Sequence, residues 1–128
     1  MKIPEDPRIP RPAGHYSPVV EHTGLLFCSG QLPMDPATKE VPEGAAAQTR
    51  RALDNLEVLL HAAGSRRERV LQVRIYVADI DHWDEVNRAY AEWFGEHRPA
   101  RAIIPCGRLH YGCLLELEAT AATDEQPS

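Results

Sequence analysis

Positive charge is in short supply in this sequence. Fourteen lysines and arginines stand against 19 aspartates and glutamates in 128 residues, a net charge of −5 with histidine neutral. An acidic chain lacks the electrostatic footprint of nucleic-acid binding, so no nucleic-acid partner is expected. The basic clusters Arg50-Arg51 and Arg66-Arg67-Arg69 fall in predicted helix and loop and read as solvated faces. Cysteine is scarce too. Cys28, Cys106 and Cys113 make an odd count with no CxxC spacing, which argues against a disulfide framework and suits a reducing cytoplasm. Six histidines form neither HxH nor HExxH, so no metal site is expected. No apolar run approaches the ~20 residues that span a bilayer, and MKIPEDPRIPRP has no apolar centre to act as a signal peptide, so no membrane partner is expected.

What is present suits one domain with one core. Met1–Pro12 carries four prolines and reads as a flexible arm, residues 13–122 as the domain, and 123–128 as a polar tail. SPVVEHT and GLLFCSG read as two strands with a hairpin-like turn at Gly24, Ser29-Gly30 ending the second. Gln31–Glu43 is a loop by composition. Gly44–Ala63 repeats apolar residues at helical spacing, with Gln48, Arg51, Asp54 and Glu57 elsewhere on the wheel and Gly64 as the stop. Val70–Asp79 alternates, with Leu71, Val73, Ile75 and Val77 on one face. Asp81 looks like the cap of a second helix that ends at Gly95 and buries Val86, Ala89, Tyr90, Trp93 and Phe94. The resulting fold is α+β, in the order β-β-α-β-α-β-β, with a single sheet and both helices on one face. Tyr76 and Leu114 among the polar groups of the other face suggest that it packs against another subunit.

The stretch Arg98–Glu118, RPARAIIPCGRLHYGCLLELE, carries the chemistry. Arg101 is a permanent cation whose planar fork suits a carboxylate. Glu116 is a carboxylate able to accept a proton or steer a water. Two strands flanking a short turn would form an antiparallel pair and aim both groups at one cavity. Taken alone, Arg101 reads first as a surface or interface ion-pair residue, and alternation puts Glu116 and Glu118 on the same face without choosing between them. Cys106, after a proline, has no His-Asp companion that would make it a nucleophile.

The segments GHYSPVV, FCSGQLPMDPATKEVP, QTRRALDNLEVLLHAAG, VRIYVADIDHWDEVNRAYAEWF, RPARAIIP and LELEATA, from Gly14 to about Ala122, resemble the RidA (YjgF) family of reactive-intermediate imine deaminases in order and spacing. The resemblance implies a chorismate-mutase-like fold and a homotrimer with sites between adjacent subunits. It also implies cofactor-free hydrolysis of small 2-enamino and 2-imino acids, such as 2-aminoacrylate and 2-iminobutyrate, to 2-keto acids and ammonia. By the same resemblance Arg101 grips the substrate carboxylate and Glu116 holds the attacking water. Tyr16 walls the pocket, Ser29 and Gly30 line it, and Asn87 matches the VN pair of the second helix. Ile103 stands where many members have a cysteine whose backbone carbonyl contacts the water.

The sequence departs from the family pattern at His15, Pro18 and the Leu109-His110-Tyr111 turn, all flanking the expected pocket. These changes keep a larger imino acid open as the substrate, and His15 and His110 open as further acid–base groups. A non-catalytic carboxylate-binding trimer would use the same arginine. An RNA-directed activity, described for some members, sits poorly with the acidic balance.

Overall fold

A computed structural model describes residues 6–124 of the chain. Met1–Glu5 of the expected arm and residues 125–128 of the expected tail lie outside the described residues. At the near end of that tail, Thr123 and Asp124 donate their amides to the carbonyls of Gly24 and Gly64, 2.9 and 2.8 Å away.

Seven main elements follow the expected order: β1 (Val19–His22), β2 (Leu25–Gln31), α1 (Ala45–Ala62), β3 (Val70–Val77), α2 (Trp83–Phe94), β4 (Ala100–Pro105) and β5 (Leu115–Ala122). They form one five-stranded sheet in the order β1-β2-β5-β3-β4. β1 and β2 are joined by Thr23 and Gly24, both at positive φ (51° and 84°), the two-residue turn whose twist matches a hairpin.

The core follows from periodicity. Along β5 every second residue from Leu115 to Ala121 is buried. Along α1, Leu53, Leu56, Leu59 and Leu60 are at most 2% exposed and meet the same sheet face. Each such side chain contributes about 1.5–3 kcal/mol by leaving water. α2 adds Val86, Tyr90 and Phe94, with Trp93 at the margin. The helices share a long contact, and Glu85 of α2 accepts from the amide of Ala46 at 2.9 Å, capping α1 where Gly44 has no side chain to do so.

Several local expectations are corrected. β4 and β5 do not pair with each other. β4 lies parallel to β3 at the sheet edge, Val73 opposite Arg101, and β5 runs antiparallel between β2 and β3. The reason is the intervening α2: strand, helix and strand form a crossover unit, which pairs its two strands in parallel. Leu71 is 48% exposed, because the register against β5 slips between Val70 and Gln72 and the extra residue is thrown outward. The acidic cap before α2 is Asp79, which accepts from the amide of Asp81 at 2.9 Å at the start of a short 3-10 turn.

Side chains read as solvated also prove to be tied down. Gln48 is buried, its amide donating to Pro42 and accepting from the amide of Leu114. Arg67 makes two bonds to Glu57 (2.6 and 2.9 Å), donates to the Trp93 carbonyl and lies over the Trp93 ring.

Candidate functional site

The expected site residues gather in two places, on opposite sides of the sheet.

The first group surrounds Glu116. In β5 this residue alternates with buried Leu115 and Leu117, so it projects from the face without helices, opposite Tyr76 in the register. Ser29-Gly30 does not end β2. The strand continues to Gln31 through a bulge, because the register shifts by one residue between Cys28 and Gln31. The bulge has two effects. Ser29 accepts the chain before β1, its amide donating to Pro18 and its hydroxyl to Ser17, which delivers the neighbouring Tyr16 to this end of the sheet. Gly30 comes against Glu116 so closely that a Cβ there would overlap the carboxylate oxygen Oε2 and stand 3.1 Å from Cδ. Only glycine leaves room for that carboxylate. Tyr16 itself is 54% exposed and free to contact a ligand or a second chain.

Burial pushes the Glu116 carboxyl above its usual range. The charge of His110 opposes that shift and the charge of Glu118 adds to it. Glu118 accepts from the Tyr76 hydroxyl at 2.5 Å, which in turn raises the phenol. His110 and Tyr111 sit in the turn leading into β5, with Tyr111 at φ 60° and 70% exposed. Gln48 fixes the end of that turn through Leu114.

The second group surrounds Arg101. In the parallel register Arg101 and Ile103 lie beside Val73 and Ile75, on the helix-covered face. Ile103 packs on the core margin. Arg101 reaches α2: its Nη1 donates to Asn87 Oδ1 at 2.8 Å, and its Cζ lies 4.9 Å from the Tyr90 ring centroid and 5.7 Å from that of Trp83. Among the described residues no carboxylate comes within 4.0 Å of it. Tyr90 is buried, and its hydroxyl is pushed up to about 12 by that burial.

Thus Gly30 meets Glu116, with Ser29 beside it holding the segment that carries Tyr16, and Asn87, Arg101 and Ile103 lie on the helix-covered face at the sheet edge. The two groups do not meet within one chain. Sequence reasoning gives Trp83 no role, and it does not place Tyr90 or Gln48 beside the expected site residues. The i, i+4, i+7 spacing of Trp83, Asn87 and Tyr90 is the signal that puts the two rings on one helix face with Asn87.

Other chemistries find less support. Burial pushes the Cys28 thiol up to about 12 and raises Cys113 as well, which disfavours the thiolate form of both. Among the described residues no group of three or more His, Cys, Asp or Glu could hold a metal ion. No helix among them is long and apolar enough to cross a membrane. A recess of about 340 Å³ bordered by Asp35, Glu40, Val41, Pro42 and Arg51 contains none of the expected site residues.

A five-stranded mixed sheet with two helices on one face, in the order β-β-α-β-α-β-β, defines a chorismate-mutase-like α+β protein. The family described as endoribonuclease L-PSP matches residues 7–123. The chain therefore belongs to that family, the RidA/YjgF/RutC group. It is 35% identical over 115 residues to the 2-iminobutanoate/2-iminopropanoate deaminase of Escherichia coli K12, covering 88% of this chain and 90% of that one. A RutC family protein of Pyrococcus horikoshii is 40% identical over 113 residues, covering 88% and 90%. Among solved structures, E. coli TdcF with bound serine superposes with a TM-score of 0.89 at 31% identity, covering 97% of this chain and 100% of that one.

Proposed function

We propose that the protein hydrolyses small 2-enamino and 2-imino acids of the 2-aminoacrylate and 2-iminobutyrate type to 2-keto acids and ammonia. The observation that carries this reading is Arg101. It is a cation held by an amide and two rings, with no carboxylate of the described chain neutralising it. A substrate carboxylate would complete its fork bidentately and so orient the imine carbon. The likeness to a 2-iminobutanoate deaminase points to the same substrate class.

Glu116 is the water-holding group. A protonated imine is already electrophilic, and the reaction needs a water placed beside it and relieved of a proton. A carboxylate of raised pKa in a partly buried position takes that proton and returns it to the departing amine. Arg101 and Glu116 face opposite ways, so the working site combines Arg101, Asn87 and Ile103 of one subunit with Tyr16, Ser29, Gly30 and Glu116 of a neighbour. Exposed Val20, Phe27 and Ile104 are apolar area that a homotrimer would cover. No cofactor enters this scheme.

A second reading, a carboxylate-binding trimer without catalysis, is favoured by the serine bound to TdcF. Hydrolysis of freshly generated 2-aminoacrylate and 2-iminobutyrate separates the two. Fast keto-acid release by the wild type, lost in both Arg101→Ala and Glu116→Ala, supports the enzyme. Carboxylate binding that survives Glu116→Ala, with no acceleration by the folded wild type, supports the binder. The ribonuclease named in the family description is tested by RNA binding, which would have to be strong and salt-sensitive despite a net charge of −5.

A further inference from the structure

We propose that Trp83 is a positioning residue for carboxylate capture. With Tyr90 it sets a ring beside the Arg101 guanidinium while Asn87 takes one Nη, which leaves the remaining donors to the substrate. The inference rests on Arg101 being the carboxylate grip.

Three residues of α2 point at one residue of β4. Trp83, Asn87 and Tyr90 are spaced i, i+4, i+7 and so share a helix face. That face lies over the edge strand, where Arg101 is partly buried. Both ring centroids are within the distance at which a guanidinium is attracted by the negative face of an aromatic ring, Tyr90 at 4.9 Å and Trp83 at 5.7 Å. The Tyr90 hydroxyl has no hydrogen-bond partner among the described residues, so its contribution to Arg101 is the ring.

The geometry separates two functions of one group. A guanidinium binds carboxylates in its own plane through paired N–H donors, whereas aromatic contacts use its faces. Of its five N–H donors, Arg101 commits one Nη to Asn87 at 2.8 Å. A flexible surface arginine would lose rotamer freedom each time it closed on a ligand. Here the freedom is already lost on folding, so less is lost on binding. Trp83 is the exposed member, 37% accessible at the first residue of α2, while Tyr90 is only 6% accessible and belongs to the core. Trp83 can therefore be changed with little loss of packing.

The test uses the full chain with Trp83→Leu and Trp83→Phe, each checked for folding by circular dichroism. The first readout is the Nε–H resonance of Arg101, assigned with Arg101→Lys, which needs no substrate. Ring currents should displace it in the wild type. Trp83→Leu should return it toward the solvent-exposed arginines, and Trp83→Phe should keep most of the displacement. The second readout is 2-iminobutyrate hydrolysis. Trp83→Leu should raise KM roughly three- to tenfold, the equivalent of one cation–π contact, with kcat within about twofold, and Trp83→Phe should recover most of the loss. An unmoved Arg101 resonance in folded Trp83→Leu overturns the proposal. So does an unchanged KM, or a Trp83→Phe as impaired as Trp83→Leu. If the wild type hydrolyses no imine, the deaminase reading fails separately, and the Arg101 resonance with the affinity for 2-oxobutyrate decides the proposal.

Discussion

Arg101 and Glu116 stand on opposite faces of one sheet, separated by strand β3 and by three residues along it. Strand spacings of about 4.8 Å and rises of about 3.3 Å per residue put their Cα atoms roughly 14 Å apart. No rotamer change brings a guanidinium through a packed sheet to its other face. Under the proposed function, Arg101 and Glu116 of one chain therefore serve two different sites.

Gly30 sets the room available to Glu116. Gly30→Ala places a methyl against Oε2. The carboxylate is the far end of a flexible side chain, so the fold should persist while the carboxylate moves away. Deaminase kcat/KM should fall by about a hundredfold, the usual effect of misplacing a reacting group by an ångström, with the thermal midpoint little changed. An active Gly30→Ala protein would remove Glu116 from the mechanism.

Glu116 titrates between two charges of opposite sign. Burial raises it, His110 lowers it and Glu118 raises it further. As the base it must be ionised, so activity falls as pH drops through its raised pKa. Glu118→Gln removes a repelling charge and should carry this acidic limb to lower pH. His110→Gln removes an attracting charge and should carry it to higher pH. Profiles of kcat/KM for the two variants should therefore shift in opposite directions. Shifts in the same direction would mean that another group controls the limb.

Arg67, in the turn before β3, ties the two helices together. Its guanidinium makes two bonds to Glu57 of α1, donates to the Trp93 carbonyl in α2 and stacks 3.7 Å over the Trp93 ring. Two-fold anchoring of this kind exceeds an exposed ion pair, so Arg67→Ala should cost about 1–3 kcal/mol in denaturant unfolding. Glu57→Gln keeps the stacking and should cost less. Equal losses would assign the whole effect to the charge pair.

The parts of this molecule legible from sequence are those governed by local repeats. β5 alternates without interruption from Leu115 to Ala122, and α1 carries its leucines at helical spacing, so their faces were readable. Leu71 turns outward against the alternation because a bulge is a property of two strands, and nothing in VLQVRIYV marks it. Gln48 was placed on the polar side because an amide reads as solvated until Pro42 and Leu114 supply its partners. The pairing of β4 is the difference that matters most for the site. Sequence proximity suggested a hairpin with β5, while the strand–helix–strand order from Val70 to Pro105 already pointed to a parallel pair. That pairing turns Arg101 toward α2. Two residues that the family resemblance assigns to one pocket therefore lie on opposite faces of the sheet.

Mixing inactive variants tests this directly. Arg101→Ala and Glu116→Ala proteins, unfolded together in equal amounts and refolded, should form rings in which some interfaces pair an intact Arg101 with a neighbour's intact Glu116. Random assembly makes about one quarter of all sites whole, so about a quarter of wild-type deaminase activity should return, while either variant refolded alone stays inactive. No recovery from rings shown by mass spectrometry to contain both chains would place Arg101 and Glu116 in the same site of a single chain and contradict the shared site.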